Sequence, residues 1–463
     1  MEQTHGGADR RSVKGQHSSF WPLVAICTGY FMVILDIMVV NVALPTISRA
    51  LHANMTDLQW VVDAYSLIFA ALLLSAGALA DRRGAKGVFQ AGMVLFVIAS
   101  LGCGLAPSTG ALIAARCAQG LGAALAVPSS LALLQAAYPD QASRRRAIGI
   151  WGGVAGIAAG AGPVVGGLLV SWFGWRWVFF VNVPIGGVGL ILAARHLPSP
   201  VRRPHGVDPF GQAALICALG GLTVALIEAG RVGWPSPIVV AGLAAFVAFS
   251  AAFIAIEHWV SRPMLPLSLF SSATFSGATA VGLAINLGFY GELFVMSLYL
   301  QRVLGFSPLL AGVALAPEAA MAVVGSTVSG RVMARTGPRG PMLGGLVLGG
   351  AGLLGLAAVG ARSPYRLLVM PFMATGLGMS LVMPAATAAV MEDAPSERAG
   401  LASGTVNSAR QVGGVVGVAL LGTLVTHRGS FVAGLHLGMA VAAAAFLGGA
   451  VLTWLAVGRS DAS

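Results

Sequence analysis

Gly77-Ala78-Leu79-Ala80-Asp81-Arg82-Arg83-Gly84-Ala85-Lys86 joins two long apolar runs, and Gly330-Arg331-Val332-Met333-Ala334-Arg335-Thr336-Gly337-Pro338-Arg339 does the same much later in the chain. Gly, Arg, Gly and a base recur at the same offsets. A second echo pairs Gly120-Leu-Gly-Ala-Ala-Leu-Ala-Val-Pro128 with Gly376-Leu-Gly-Met-Ser-Leu-Val-Met-Pro384, at nearly the same separation and in the same orientation. Two such matches predict two repeated halves in one chain.

The medium around those halves follows from composition. Of 463 residues 57% are hydrophobic and 9% charged, with mean hydropathy +0.85. Soluble proteins carry about 25% charged residues, so this chain has too little polar surface to dissolve in water. Its apolar runs reach the roughly 20 residues that span a bilayer, and they lack the polar/apolar alternation of a barrel. The expected fold is an all-α polytopic membrane protein with spans near 20–45, 59–80, 87–106, 110–138, 146–170, 177–195, 210–229, 237–258, 274–300, 309–332, 341–360, 366–391, 399–425 and 433–457.

When the loops are assigned alternately to two sides, bases such as Arg82, Lys86, Arg144 and Arg335 fall on one side and few on the other. Loops rich in Lys and Arg stay in the cytoplasm. That bias predicts cytoplasmic termini and an even number of spans in a bacterial inner membrane. It also explains the net charge of +11 without nucleic acid. Parallel repeats about the membrane normal are a plan of secondary transporters. The expected division is a tail at 1–19, a six-helix bundle at 20–200, two inserted helices at 201–265, a second six-helix bundle at 266–458 and a tail at 459–463. The apolar run after the first tail is too long for a signal-peptide core, and no cleavage site follows it.

Other chemistries lack their signatures. No Walker loop, histidine pair at helical spacing or Cys/His cluster occurs, so no cofactor, no metal and no enzyme activity are expected. Cys27, Cys103, Cys117 and Cys217 sit in apolar runs and read as small fillers.

Five segments resemble the major facilitator superfamily, specifically its fourteen-helix drug:proton antiporters of the methylenomycin-resistance kind. They are Leu35-Asp36 to Pro45, the Gly77–Lys86 loop, Arg116-Cys-Ala-Gln119-Gly120, Gly152 to Gly167, and Trp175 to Gly186. The resemblance implies roles for them. Asp36 would carry the proton, since a carboxylate in mid-membrane is costly unless paired, hydrated or protonated; the alternative is a structural carboxylate held with Asn41. Arg116, which stays charged, would tune Asp36, or else form a static pair. Gly77, Asp81, Arg82, Gly84 and Lys86 would form a latch on the cytoplasmic side, or serve insertion alone; Ala334 replaces the acid in the second copy. Gly156, Gly160, Gly162, Pro163, Gly166 and Gly167 would form the antiporter seal, or ordinary small-residue packing. Trp175, Arg176 and Trp177 read as outer anchors.

Further polar groups lie within the spans. Asp63 is expected in an outer vestibule or at a hydrated rim. Glu292 and Glu318 lie deeper, as second proton sites, substrate contacts or members of local networks. Asn41, Gln119, Asn286, Asn407, Arg410 and Gln411 complete the cavity candidates, and Arg410 is expected to pair with Glu292 or Glu318. Glu228, Glu257, His258, His427 and His436 read as interfacial. The expected activity is proton-coupled export of drug-sized amphipathic compounds by a monomer in the lipid bilayer. The alternatives are export of a native metabolite or siderophore, and a membrane scaffold or receptor that transports nothing.

Overall fold

A computed structural model describes residues 20–198, 208–260, 263–265, 267–393, 399–427 and 430–458. The tails at 1–19 and 459–463 and the loop bases Arg202, Arg203, Arg262, Arg398 and Arg428 lie outside the described residues. Apolar sequence becomes helix because a helix satisfies its own backbone groups where water cannot. Among the described residues fourteen spans are long and apolar enough to cross a membrane, and no strand occurs.

The first half runs α1 (Phe20–Leu51), α2 (Met55–Arg83), α3 (Ala85–Leu105), α4 (Thr109–Ala137), α5 (Gln141–Phe173), α6 (Trp177–Phe180) and α7 (Asn182–His196). The insert is α8 (Pro209–Val232) and α9 (Pro237–Trp259). The second half runs α10 (Ala273–Leu298), α11 (Pro308–Ala314), α12 (Ala316–Thr336), α13 (Arg339–Ala357), α14 (Arg366–Asp393), α15 (Ala399–His427) and α16 (Phe431–Ala456). Two spans differ from the continuous helices expected. The sixth breaks at Val181 into α6 and α7, and the tenth breaks at Leu315 into α11 and α12. Pro184 and Pro317 follow the breaks closely, and each lacks an N–H to continue the preceding helix.

Side chains close the helix ends. Asn54 accepts the Asp57 amide at 2.9 Å while Asp57 accepts the Asn54 amide at 2.9 Å, a reciprocal cap on α2. Asp208 caps α8 and Pro209 opens it. The two repeat loops make matching turns: Gly84 has φ +102° and Gly337 φ +67°, a region that suits glycine.

The repeat also governs packing. α4 packs on α2 and α3, as α14 packs on α12 and α13. Gly120 lies against the Tyr65 carbonyl and Gly376 against the Glu318 carbonyl, with no room for a Cβ at either.

The turns at Gly84 and Gly337 mark one end of the helices, here the basic face. At the opposite face the halves are bonded together. Ser297 Oγ donates to the Asn41 carbonyl at 2.7 Å, Gln301 Nε2 to the Val42 carbonyl at 3.0 Å and Arg302 to Ser48 Oγ at 2.9 Å. The Leu309 amide donates to Ser171 Oγ at 3.2 Å, and Gln59 Nε2 to the Ala419 carbonyl at 2.8 Å. Toward the basic face the glycine face of α5 is open: a Cβ on Gly149, Gly152, Gly153 or Gly156 would meet nothing within 4 Å.

α8 covers the seam between α2 and α15. Gln212 Nε2 donates to the Ala71 carbonyl at 2.8 Å, and Thr423 Oγ1 to the Leu226 carbonyl at 2.6 Å. α9 packs on α8 and exposes Ile238, Val247 and Ile254, which suits contact with lipid.

Candidate functional site

Asp36 sits in the middle of α1 and is wholly buried. Arg116 of α4 donates to its Oδ2 at 2.5 Å. Gln119, one turn along α4, donates from Nε2 to Oδ1 at 3.1 Å, and Asn182, the first residue of α7, donates to the same oxygen at 2.8 Å. Arg116 is only 1% exposed; it donates from Nε to the Val61 carbonyl at 3.0 Å and from a terminal nitrogen to Gln119 Oε1 at 2.9 Å. Its guanidinium lies 4.3 Å from the centre of the Tyr65 ring. Ser100 of α3 accepts from Gln119 at 2.8 Å, and Cys103 donates to Gln119 Oε1 at 3.1 Å.

This network balances its charge inside apolar surroundings. A buried carboxylate persists only when paired and hydrogen-bonded, and removing one partner costs about 3–5 kcal/mol. Protonation of Asp36 would remove the charge that Arg116, Gln119 and Asn182 all address. A single proton can therefore rearrange groups on α1, α4 and α7.

Asp36 and Arg116, expected as partners, come together here, and Gln119, expected in the substrate cavity, joins them. Asn41 does not hold Asp36: its amide donates to the Ile37 carbonyl at 2.8 Å, one helical turn back. Asn182, Ser100 and Cys103 were not expected. Asn182 stands beside tryptophans and an arginine typical of a membrane boundary, which masks it, and Cys103 is more than a filler.

Asp63 does not line an outer vestibule. It is fully buried in α2, and neither carboxylate oxygen has a hydrogen-bond partner among the described residues. Glu257, near the end of α9 as an interfacial residue can be, is buried and accepts the Leu265 amide at 2.9 Å. His436 points to the Val359 carbonyl at 2.7 Å. Glu228 pairs with Arg231 near the helix end, as an interfacial residue can.

Glu292 of α10 and Glu318 of α12 come together across Thr375 of α14, which donates to Glu292 Oε1 at 3.2 Å. Arg410 serves neither. It donates to Asn407 at 3.2 Å, and its Nε has no partner among the described residues. Arg410 of α15 instead lies within electrostatic reach of two phenols, Tyr30 of α1 and Tyr290 of α10. Tyr30 stacks on Trp151 of α5, with ring centres 3.9 Å apart. An arginine and aromatic rings from both halves therefore meet between the bundles. Asn286 is buried with its oxygen unpartnered, while Gln411 is half-buried.

The glycine segment of α5 divides its work. Gly162 and Gly166 pack against Met38 and Val39 of α1, whereas Pro163 and Gly167 face Gly312 and the Pro308–Leu309 backbone of the other half. Gly160 approaches Ala319, and Gly156 faces open space. In the loop after α2, Gly77 lies beside Pro128, Asp81 is engaged and Arg82 is exposed. Lys86 donates to the Ala194 carbonyl at 3.1 Å and the Leu197 carbonyl at 2.9 Å, capping the end of α7. An apolar groove of about 290 Å³ runs between α1 and α5, lined by Phe20, Cys27, Phe31, Ile150 and Val154 among others. Among the described residues no cluster of metal ligands occurs.

Comparison with known proteins agrees with this architecture. The Major Facilitator Superfamily matches residues 26–418. The chain is 36% identical over 439 residues to a methylenomycin A resistance protein of Streptomyces coelicolor, covering 95% of this chain and 92% of that one. It is 38% identical over 432 residues to a tetracenomycin C resistance and export protein of Streptomyces glaucescens, covering 92% and 80%. It is 38% identical over 403 residues to the multidrug resistance protein Stp of Mycobacterium tuberculosis, covering 87% and 75%. A crystal structure of a peptide transporter shares the fold with TM-score 0.72 at 15% identity, covering 96% and 97% of the two chains. A bacterial homologue of the lysosomal transporter Spinster does so with TM-score 0.68 at 18% identity, covering 97% and 100%. The two-bundle helical plan, its internal repeat and these matches place the chain in the Major Facilitator Superfamily, a family of membrane transporters and not of enzymes.

Proposed function

We propose that this protein exports small hydrophobic or amphipathic compounds, antibiotics among them, in exchange for protons. The observation that carries the reading is Asp36: a carboxylate buried in the first span, held by Arg116, Gln119 and Asn182, in a carrier whose halves are hydrogen-bonded together at the face opposite the basic one. The resistance and export roles named for its relatives support the substrate class.

The distribution of bases supports a cytoplasmic position for the basic face, and with it for both termini. The arrangement is then the cytoplasm-facing one, with the seal on the outside. A compound enters between the bundles and meets the Tyr30, Trp151, Tyr290 and Arg410 groups, which offer aromatic surface and one polar anchor. The halves then rock, the outer seal opens, and the compound leaves as a proton reaches Asp36. Protonated Asp36 releases Arg116, which favours return. Discharge to the cytoplasm restores the pair. The cycle uses one polypeptide, the bilayer and the proton gradient, with no cofactor.

Expression in a bacterial host stripped of its own efflux pumps tests this. The wild-type chain should raise the tolerated concentration of at least one of methylenomycin A, tetracenomycin C and puromycin. Asp36→Asn, present in the membrane at equal amount, should not. Equal protection by both proteins would remove Asp36 from the mechanism.

A further inference from the structure

The internal repeat gives the Asp36 cluster a counterpart. The step from Gly77 to Gly330 is also the step from Tyr65 to Glu318. The step from Gly120 to Gly376 is also that from Gln119 to Thr375, from Arg116 to Phe372 and from Asp36 to Glu292. The geometry follows the register. Gln119 of α4 donates to Asp36 of α1, and Thr375 of α14 donates to Glu292 of α10. The Tyr65 and Glu318 carbonyls lie against the glycines that follow those two donors.

Two exchanges change the chemistry. Phe372 stands where the first half has Arg116, and Glu318 where it has Tyr65. The first cluster holds one carboxylate and one guanidinium. The second holds two carboxylates, 1% and 3% exposed, with no cation on either among the described residues. Thr375 donates to Glu292 Oε1, and its neighbour Gly376 lies against the Glu318 backbone, so α14 brings the two carboxyl groups within electrostatic reach of each other. Among the described residues no other element packed on α10 places a cation on either carboxyl group: α1 carries Asp36, held by Arg116, and Arg49, on Thr46; the segment 299–303 carries Arg302, on Ser48; and Arg366 of α14 is exposed. α15 brings Arg410, which lies within electrostatic reach of Tyr290 and Tyr30; α16 brings His436, bound to the Val359 carbonyl; α1 brings Tyr30. Two like charges cannot both persist without a cation while the site is closed from water, so the closed pair is built to hold a proton and to give it up once water reaches it.

We propose that Glu292, Glu318 and Thr375 form a second proton-binding site, the repeat-related counterpart of Asp36; its place in the transport cycle rests on the antiport reading above. Access is built into the seal. Glu318 is the third residue of α12, in the first turn after the break at Leu315, and the next residue, Ala319, is the one that Gly160 of α5 approaches. Parting α5 from α12 uncovers the pair. The proton arrives from water, is held by one carboxyl group with the other as acceptor, and returns to water when the opposite side opens.

Infrared difference spectra of the purified protein between acid and alkaline buffer test the site without any drug. Wild type and Asp36→Asn should both show the carbonyl band of a protonated carboxyl group that appears with acid. The double variant Glu292→Gln/Glu318→Gln should lose most of that band. Thr375→Val, which removes the hydroxyl donor and keeps the shape, should shift the band without abolishing it. A double-variant spectrum equal to that of wild type, or a Thr375→Val band at the wild-type position, would overturn the proposal. Failure of the antiport reading would show instead as absent drug-driven proton movement in wild type, with this spectrum unchanged.

Discussion

Adding one methyl group at Gly167 should open the outer seal. A Cβ built there lies 2.7 Å from the Pro308 carbonyl oxygen and 2.8 Å from Leu309 Cα. Both are backbone atoms of the other half, so no rotamer relieves the clash. Overpacking of this kind costs about 1–3 kcal/mol. The cost exists only while α5 touches α11, because the opposing backbone moves away when the halves part. The gain in helix propensity from Gly to Ala, about 1 kcal/mol, is common to both states and cancels. The equilibrium should therefore shift toward the state open at this face by about 5- to 150-fold. Gly156→Ala is the matched control, since its Cβ would meet nothing within 4 Å. The assay is labelling of Gln301→Cys, at the sealed face, by a membrane-impermeant maleimide. The rate should rise by about that factor in Gly167→Ala and stay unchanged in Gly156→Ala. Equal rates in both backgrounds would refute the claim that this contact holds the seal.

Other perturbations bear on the buried pair and the loop. Asn182→Ala removes a hydrogen bond to a charged group, a loss of about 1.5–3 kcal/mol, and should lower drug-dependent proton exchange; unchanged exchange would make Asn182 structural only. Arg116→Ala should destabilise the detergent-solubilised protein by about 3–5 kcal/mol in thermal unfolding, and by clearly less when Asp36→Asn is already present. Additive losses would mean that the two side chains are not coupled. Lys86→Met removes a cap on the carbonyl end of α7 and should cost only about 0.3–1 kcal/mol in the same assay. A much larger loss would show that Lys86 does more than cap.

The sequence displayed some of this and hid the rest for identifiable reasons. Asp36, Arg116 and Gln119 stand out because charged and amide groups are rare in apolar runs, and the structure joins them. Both repeat loops turn through a positive-φ glycine, as their shared pattern implies. Asn182 was obscured by Trp175 and Trp177, whose boundary role accounts for the segment without it. Ser100 and Cys103 look like any small residue in a membrane helix. The meeting of Glu292 with Glu318 depends on the orientations of α10, α12 and α14, which no local pattern encodes. Charge complementarity suggested Arg410 as their partner, but α15 places it within electrostatic reach of Tyr30 and Tyr290 instead. Asp63 misleads in the opposite direction: its position near Trp60 implies a wet rim, yet α2 buries it completely.

Proton movement in everted membrane vesicles tests the central claim most directly. Vesicles with the wild-type chain, with Asp36→Asn, or with neither are energised so that the lumen acidifies, and then receive methylenomycin A, tetracenomycin C or puromycin while lumenal pH is followed. The account predicts that at least one compound collapses the pH gradient in wild-type vesicles alone. A collapse that persists undiminished with Asp36→Asn, or none with any compound in vesicles where the protein is present and folded, would contradict it.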